Sequence, residues 1–341
     1  MYDEAREFRF DPGIITARKR VVSILEQQRA ASIRTLEAKI AESGRGDKPP
    51  PHLISNAVRQ LRSVDQNAPD GTLPVIMMEK RPGWPCEMYY LSAADPDAVA
   101  RALEVKAALE IRWHRYARRT GPDSIGALGE TIVRRAFEDD AHFFVAPGWG
   151  NVTYVNGKYI PANPGPVGSV DGLVFLANLP PDQGSAIVEV KNQREWIYPR
   201  DPDLWDIVRN GFAVNAVPII FARKIYPSAF IYVLRRLGGI GIQMHAQFVP
   251  ASASRDLEMC KHRLGLGFKD LNFDETVPKS LEKAIPIIAS QIAASRRRME
   301  AVRDLAEPHL DVLASDQDRT ARRQSYAELQ VALDARFGRG N

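Results

Sequence analysis

Apolar residues recur three and four apart through the first sixty positions, the period of helices that bury one face. Over 16–28 the spacing is held by Val21, Val22 and Leu25, and over 32–40 by Ile33, Leu36 and Ile40 behind Ser32, a capping residue type. A polar, Pro-rich loop over 43–51 precedes a third short helix at 52–61, with Leu53, Ile54, Ala57, Val58 and Leu61 on one face. The pattern then turns to strands at 73–78 and 87–91, joined by Lys80-Arg81-Pro82-Gly83-Trp84-Pro85, a basic, turn-rich tip. Asp95-Pro96 opens a helix running to about Thr120, with Arg112, Arg115, Arg118 and Arg119 towards its end.

Beyond that helix the texture changes. Asp123 or Ser124 starts a helix through Phe137. Asn156-Gly157 marks a hairpin over 152–160. Strands follow at 170–176 and 186–191, then a helix from Asp201-Pro202 to near Asn215. A strand at 217–222, a helix at 227–237 stopped by Gly238-Gly239, and a strand at 240–248 complete the block. Helix, antiparallel strands, then strand-helix-strand-helix-strand predicts a mixed sheet with helices on its faces, an α/β fold. The tail is helical by pattern at 281–305 and 325–337, and Arg296-Arg297-Arg298 reads as a solvated face. This divides the chain into a first domain at 1–95, a basic linker helix at 96–120, an α/β domain at 121–250 and a helical extension at 251–341.

Composition adds limits rather than identity. The 341 residues are 45% hydrophobic and 26% charged, which excludes wholesale disorder. No membrane span or secretory leader is expected, and two cysteines, Cys86 and Cys260, build no disulfide framework, so the cytoplasm is the expected compartment. The six histidines show no ligand spacing. Net charge is +4, from 46 basic and 42 acidic residues. Residues 96–120 hold six basic and three acidic groups, whereas 121–250 hold eleven and twelve. A basic connector beside a slightly acidic block suits a nucleic-acid-binding part next to a carboxylate site.

Three Glu-x-Lys triplets occur: Glu37-Ala38-Lys39, Glu104-Val105-Lys106 and Glu189-Val190-Lys191. The first two fall on predicted helices, where residues two apart do not face each other. The third falls on a strand, where they do. Eighteen residues before Glu189, Asp171 opens the neighbouring strand. Pairing of these strands brings two carboxylates together, a repulsion that a divalent cation resolves. A cation there with a lysine alongside suits phosphodiester hydrolysis. The plainer alternatives are a solvated Glu189–Lys191 pair, a turn residue at Asp171 and a solvent-facing Glu130.

Asp171, Glu189-Val190-Lys191 and a preceding helix with Glu130 together resemble the PD-(D/E)xK nuclease superfamily, which includes restriction endonucleases and Holliday-junction resolvases. Val170 stands where the family's name has proline. The resemblance implies a restriction-endonuclease-like mixed sheet flanked by helices. It implies Mg²⁺, with Mn²⁺ able to substitute, on Asp171, Glu189, Glu130 and the Val190 carbonyl, with Lys191 as the catalytic lysine. Gln193 is a further candidate. The order helix, helix, helix, hairpin over about 11–92 resembles a winged helix-turn-helix. That implies DNA contacts from Ser55, Asn56, Arg59 and Gln60 on the third helix and Lys80 and Arg81 on the wing. The expected activity is DNA endonuclease, in restriction or other defence. The alternatives are repair or recombination, a non-catalytic DNA-binding regulator, and RNA as substrate. A homodimer is implied by family analogy.

Overall fold

The computed structural model describes residues 12–41, 49–62, 75–162, 167–261, 268, 270–315 and 318–338. Most of the loop expected at 43–51, and Leu73 and Pro74 of the expected strand, lie outside them. The chain forms two compact units rather than four segments: 1–119 with 251–271, and 120–250 with 272–341.

In the first unit, α1 (Pro12–Gln28) leads into a two-residue strand, β1 (Ala31–Ser32), then α2 (Ile33–Ile40) and α3 (Pro51–Arg62). Ser32 caps α2 by accepting the Thr35 N–H at 3.1 Å. Helix α3 buries Leu53, Ile54, Ala57, Val58 and Leu61, the face its spacing predicts. Strands β2 (Ile76–Glu79) and β3 (Met88–Leu91) pair antiparallel, and β1 joins β3 on its other side. Helix α4 (Pro96–Ala117) is not a free linker. Its Val99, Leu103 and Ala107 pack with Ala30 and Met88, which makes it part of this unit's core. The segment 251–271 joins for the same reason: Phe268 meets Trp113 edge-on at 4.9 Å, and Tyr116 donates to Asp256 at 2.6 Å.

The second unit opens with α5 (Ile125–Glu138), capped by Ser124. Strand β4 (Phe143–Val145) follows, then a hairpin of β5 (Tyr154–Val155) and β6 (Lys158–Tyr159). Asn156 and Gly157 both have positive φ at its turn, 49° and 80°, as the Asn-Gly signal requires. Then come β7 (Gly172–Leu176), β8 (Ser185–Lys191), α6 (Pro202–Val214) and β9 (Val217–Ala222). A helical stretch over 227–237, with a π turn at Phe230–Leu234, leads to β10 (Ile240–Gln243). The sheet order is β10-β9-β8-β7-β4. The β4–β7 and β7–β8 pairs are antiparallel, whereas β8–β9 and β9–β10 are parallel. Every residue of β9 is buried, as a parallel strand covered on both faces requires.

The single strand expected at 240–248 is broken. His245 has φ 61°, and pairing resumes only at Gln247–Phe248. The tail forms α7 (Lys279–Ala314) and α8 (Arg319–Phe337). Helix α7 runs through Pro286 and Pro308 because its buried stripe, including Ile285, Ile288, Ile292, Met299, Val302, Ala306 and Leu310, holds it to the unit. Arg296 is not solvated as expected: it is buried and donates to the Gln183 carbonyl at 2.9 Å and Ser185 Oγ at 3.1 Å. No helix among the described residues is long and apolar enough to cross a membrane.

Candidate active site

The register of β7 on β8 ends with Gly172 against Val188, so Asp171 immediately precedes the paired stretch of β7 and Glu189 immediately follows that of β8. The Val190 N–H donates to Asp171 Oδ2 at 2.7 Å, which fixes that carboxylate against the end of β8. Lys191 lies on the same strand face as Glu189. Its Nζ is 2.9 Å from Glu189 Oε1 and 3.3 Å from Asp203 Oδ2, on the first turn of α6. The lysine and Glu189 side chains are only 21% and 20% exposed, so this is not a solvated surface pair.

Helix α5 brings the third carboxylate. Its Gly129 lies so close to Asn192 that a Cβ there would sit 2.5 Å from the asparagine Cβ. Asn192 is buried and spans the junction, donating to the Ile125 carbonyl at 2.6 Å and the Phe248 carbonyl at 2.8 Å. It also accepts the Phe248 N–H at 2.9 Å. This clamp sets α5 on the end of β8, and Glu130 is the residue after Gly129. A Cβ on Gly150 would lie 3.7 Å from Glu130 Oε2, so the 148–150 turn borders the acid as well.

Burial and mutual repulsion shape the charges. Burial pushes the Asp171 carboxyl up to about 6, assisted by the Glu130 charge, against the opposing effects of the Val190 N–H and Lys191. Glu189 is pushed up to about 7, first by burial and then by Asp171. Glu130 rises through burial and the Glu189 charge. Lys191 is held above its usual range by Glu189 and Asp203, which overcome its burial. Asp201, which caps α6 by accepting the Asp203 N–H at 3.1 Å, is pushed up to about 6 by burial and by Asp203.

The structure thus brings Asp171, Glu189, Lys191 and Glu130 into one electrostatic cluster. It adds Asp203, whose only signal was its place behind the Asp201-Pro202 cap, where an acidic residue reads as helix-dipole compensation. The part of Gln193 seen in a contact is its carbonyl, which accepts from buried Arg223 at 3.3 Å. Among the described residues no three His, Cys, Asp or Glu side chains form a ready-made metal cage.

In the first unit, Arg59 is exposed on α3 and donates to Asn56 Oδ1 at 3.1 Å. Ser55 and Gln60 are half-buried and engaged: Ser55 donates to Glu37 at 3.0 Å, and Gln60 Oε1 accepts from Arg18 Nε at 2.8 Å. On the β2–β3 turn, Lys80 donates to the Trp84 carbonyl at 2.5 Å. Arg81 lies over the Trp84 ring at 4.9 Å and pairs with Glu79 and Glu104. Ser55, Asn56, Arg59, Gln60, Lys80 and Arg81 therefore all have intramolecular partners.

No family model, curated protein or solved structure matches the chain.

Proposed function

We propose that the chain is a metal-dependent endonuclease acting on DNA, with a restriction-endonuclease-like second unit and a winged-helix first unit. The observation that carries this is the convergence of Asp171, Glu189 and Lys191 at the β7–β8 strand ends, beside Glu130 of α5. The element order supports it: α5, then β4, β7 and β8 antiparallel, then α6 and a parallel β9, is the family's core order. In the first unit, the short β1 beside β3 supplies the third strand of a winged helix.

The donor set suits Mg²⁺, which is held by one or two carboxylates and keeps waters and phosphate oxygens in its other positions. Two carboxylates therefore suffice without a closed cage. Asp171 and Glu189 would hold the ion, with the Val190 carbonyl and Glu130 as further oxygens. When bound, it polarises the scissile phosphate and lowers the pKa of a coordinated water. Burial makes these carboxyls keep their protons to higher pH, and they must lose those protons to take up a cation. Lys191 sets a fixed positive charge beside the reacting phosphate, orienting water and offsetting charge that develops in the transition state. The first unit supplies grip: Arg59 on α3 and Lys80 on the wing face phosphates or base edges. Restriction or other defence against foreign DNA is the setting we favour.

The test is cleavage of supercoiled, linear, branched and single-stranded DNA, and of RNA, with Mg²⁺ or with EDTA. Mg²⁺-dependent scission of DNA lost in Lys191→Ala supports the reading. Preference for branched DNA moves the setting to recombination. A wild type that binds DNA yet cuts no form replaces the enzyme with a DNA-binding regulator.

A further inference from the structure

Lys191 has two carboxylate partners, and only one of them belongs to the Asp171–Glu189 pair. Glu189 lies on its own strand at 2.9 Å, and Asp203 reaches it at 3.3 Å from the first turn of α6. The backbone at Asp203 is held by the Asp201 cap, and α6 is anchored through buried Leu204, Trp205, Ile207 and Val208. Asp203 is therefore fixed by a different element from the one that carries the lysine. A cation taken up by Glu189 would compete with the ammonium for that carboxylate. Two cations sharing one carboxylate repel each other, and Lys191 needs another anion to stay ordered.

We infer that Asp203 is the positioning residue of this site: it holds the Lys191 ammonium in place when Glu189 turns to a divalent cation, and so aims it at the scissile phosphate. The inference rests on the nuclease reading above. Its consequence is a division of labour. Glu189 serves the metal, Asp203 serves the lysine, and Asp203 touches neither substrate nor metal.

Single-turnover cleavage of one DNA by the full chain with Mg²⁺ tests this, together with DNA affinity and calorimetric titration with Mn²⁺. Asp203→Asn should slow the cleavage step by about 10²-fold, the scale of a misplaced catalytic group. DNA affinity should hold or tighten, because an anion near phosphate is lost. Mn²⁺ affinity should stay within a few-fold of wild type, whereas Glu189→Gln should lose Mn²⁺. Asp203→Glu should recover most of the rate. Asp203→Asn combined with Lys191→Ala should be no slower than Lys191→Ala alone, since Asp203 acts only through the lysine. Asp203→Ser, another residue accepted in a first turn, repeats the comparison should the asparagine variant fail to fold.

Wild-type rates in Asp203→Asn, no recovery in Asp203→Glu, or additive losses in the double variant would overturn the inference while leaving the nuclease reading intact. Loss of Mn²⁺ in Asp203→Asn would overturn it in favour of a metal ligand. A wild type inert on every DNA overturns the nuclease reading, and this inference with it.

Discussion

Each unit of the chain buries a carboxylate whose pKa is raised, and the two behave differently. Glu110 of α4 is fully buried, and burial is the first cause of its raised pKa. The Ser32 hydroxyl donates to it, and Ser32 also caps α2, so the acid joins α4 to the start of α2. Cys86 sits within its field and is itself pushed up to about 12, first by burial and then by that acid. Asp171 and Glu189 are raised for the same first reason, yet their site stays partly open and holds a second carboxylate and an ammonium. A raised pKa therefore does not by itself distinguish the proposed site from a fully buried acid. What separates the two is access and the presence of a second carboxylate. Glu110 has a 0% exposed side chain, with the Ser32 hydroxyl, His114 at 4.0 Å and the Arg34 and Lys106 charges about it, whereas Glu189 is 20% exposed and lies in the field of a second carboxylate, Asp171.

The largest effect should fall on the open site. Lys191→Ala is expected to slow cleavage about 10²–10³-fold, the scale of removing one group that stabilises transition-state charge. DNA affinity should barely change, because one cation among many phosphate contacts contributes little. Asp171→Ala should lose cleavage as well, and Mn²⁺ binding with it. Glu110→Gln should leave the cleavage rate at saturating protein unchanged. A rate loss in Glu110→Gln comparable to that in Lys191→Ala would erase the distinction between the two acids.

Next in size is the response to pH and metal. Asp171 and Glu189 have folded pKa values of about 6 and 7, above ordinary values of 3.8 and 4.5. A raised folded pKa contributes stability that is complete below the unfolded pKa and lost as pH rises through the folded one. In EDTA the melting temperature should therefore fall between about pH 4 and pH 7 and level off above that. With Mg²⁺ the trend should weaken or reverse, because the carboxylates must lose their protons to bind it. At a hundredfold excess over its dissociation constant the ion adds about 2.7 kcal/mol. Asp171→Asn should remove most of the difference between Mg²⁺ and EDTA. Glu110 has the same sign of shift, so its unit also loses stability as pH rises past that group's folded pKa. No metal should rescue that loss, and Glu110→Gln should flatten it.

A smaller effect isolates the structural acid. Glu110→Ala removes the carboxylate acceptor of the buried Ser32 hydroxyl and leaves it Thr35 Oγ1 at 3.2 Å, a cost of about 1 kcal/mol. Thermal or urea unfolding at mildly acidic pH measures it. Glu110→Gln should cost much less, since an amide oxygen still accepts from Ser32.

The legibility of these two sites in the chain also differs, for physical reasons. Asp171 and Glu189-Val190-Lys191 stand out because strand geometry makes a two-residue spacing meaningful, and Gly172 to Leu176 and Ser185 to Lys191 form those strands. Glu110 passes unnoticed because a glutamate on a charged helix reads as solvated, whereas its burial comes with neighbours distant in sequence, Ser32 among them. Asp203 hides behind the Asp201-Pro202 cap in the same way. Strands β1 and β4, of two and three residues, are too short for alternation to register. The break at His245 has no signal, since a single non-glycine residue at positive φ leaves no trace in the pattern. Arg296 looks solvated in an Arg-Arg-Arg run, although the Gln183 carbonyl and Ser185 hydroxyl that bury it lie more than a hundred residues away.

The smallest expected effect separates grip from chemistry within the first unit. Arg59 is exposed on α3 and, among the described residues, hydrogen-bonds Asn56 one turn earlier, a contact it can exchange for phosphate. Gln60 accepts from Arg18, so its oxygen is already spent and its loss would free a cation instead. Arg59→Ala should weaken DNA binding a few-fold at moderate salt and reduce the salt slope by about 1, as loss of one phosphate contact does. Gln60→Ala should leave affinity unchanged or slightly raised, through the released Arg18. Neither should alter the cleavage rate once DNA is saturated, because neither belongs to the cluster around Lys191. Affinity measured by fluorescence anisotropy over a salt series decides the matter. If Arg59→Ala keeps both the wild-type affinity and its salt slope, α3 does not face DNA.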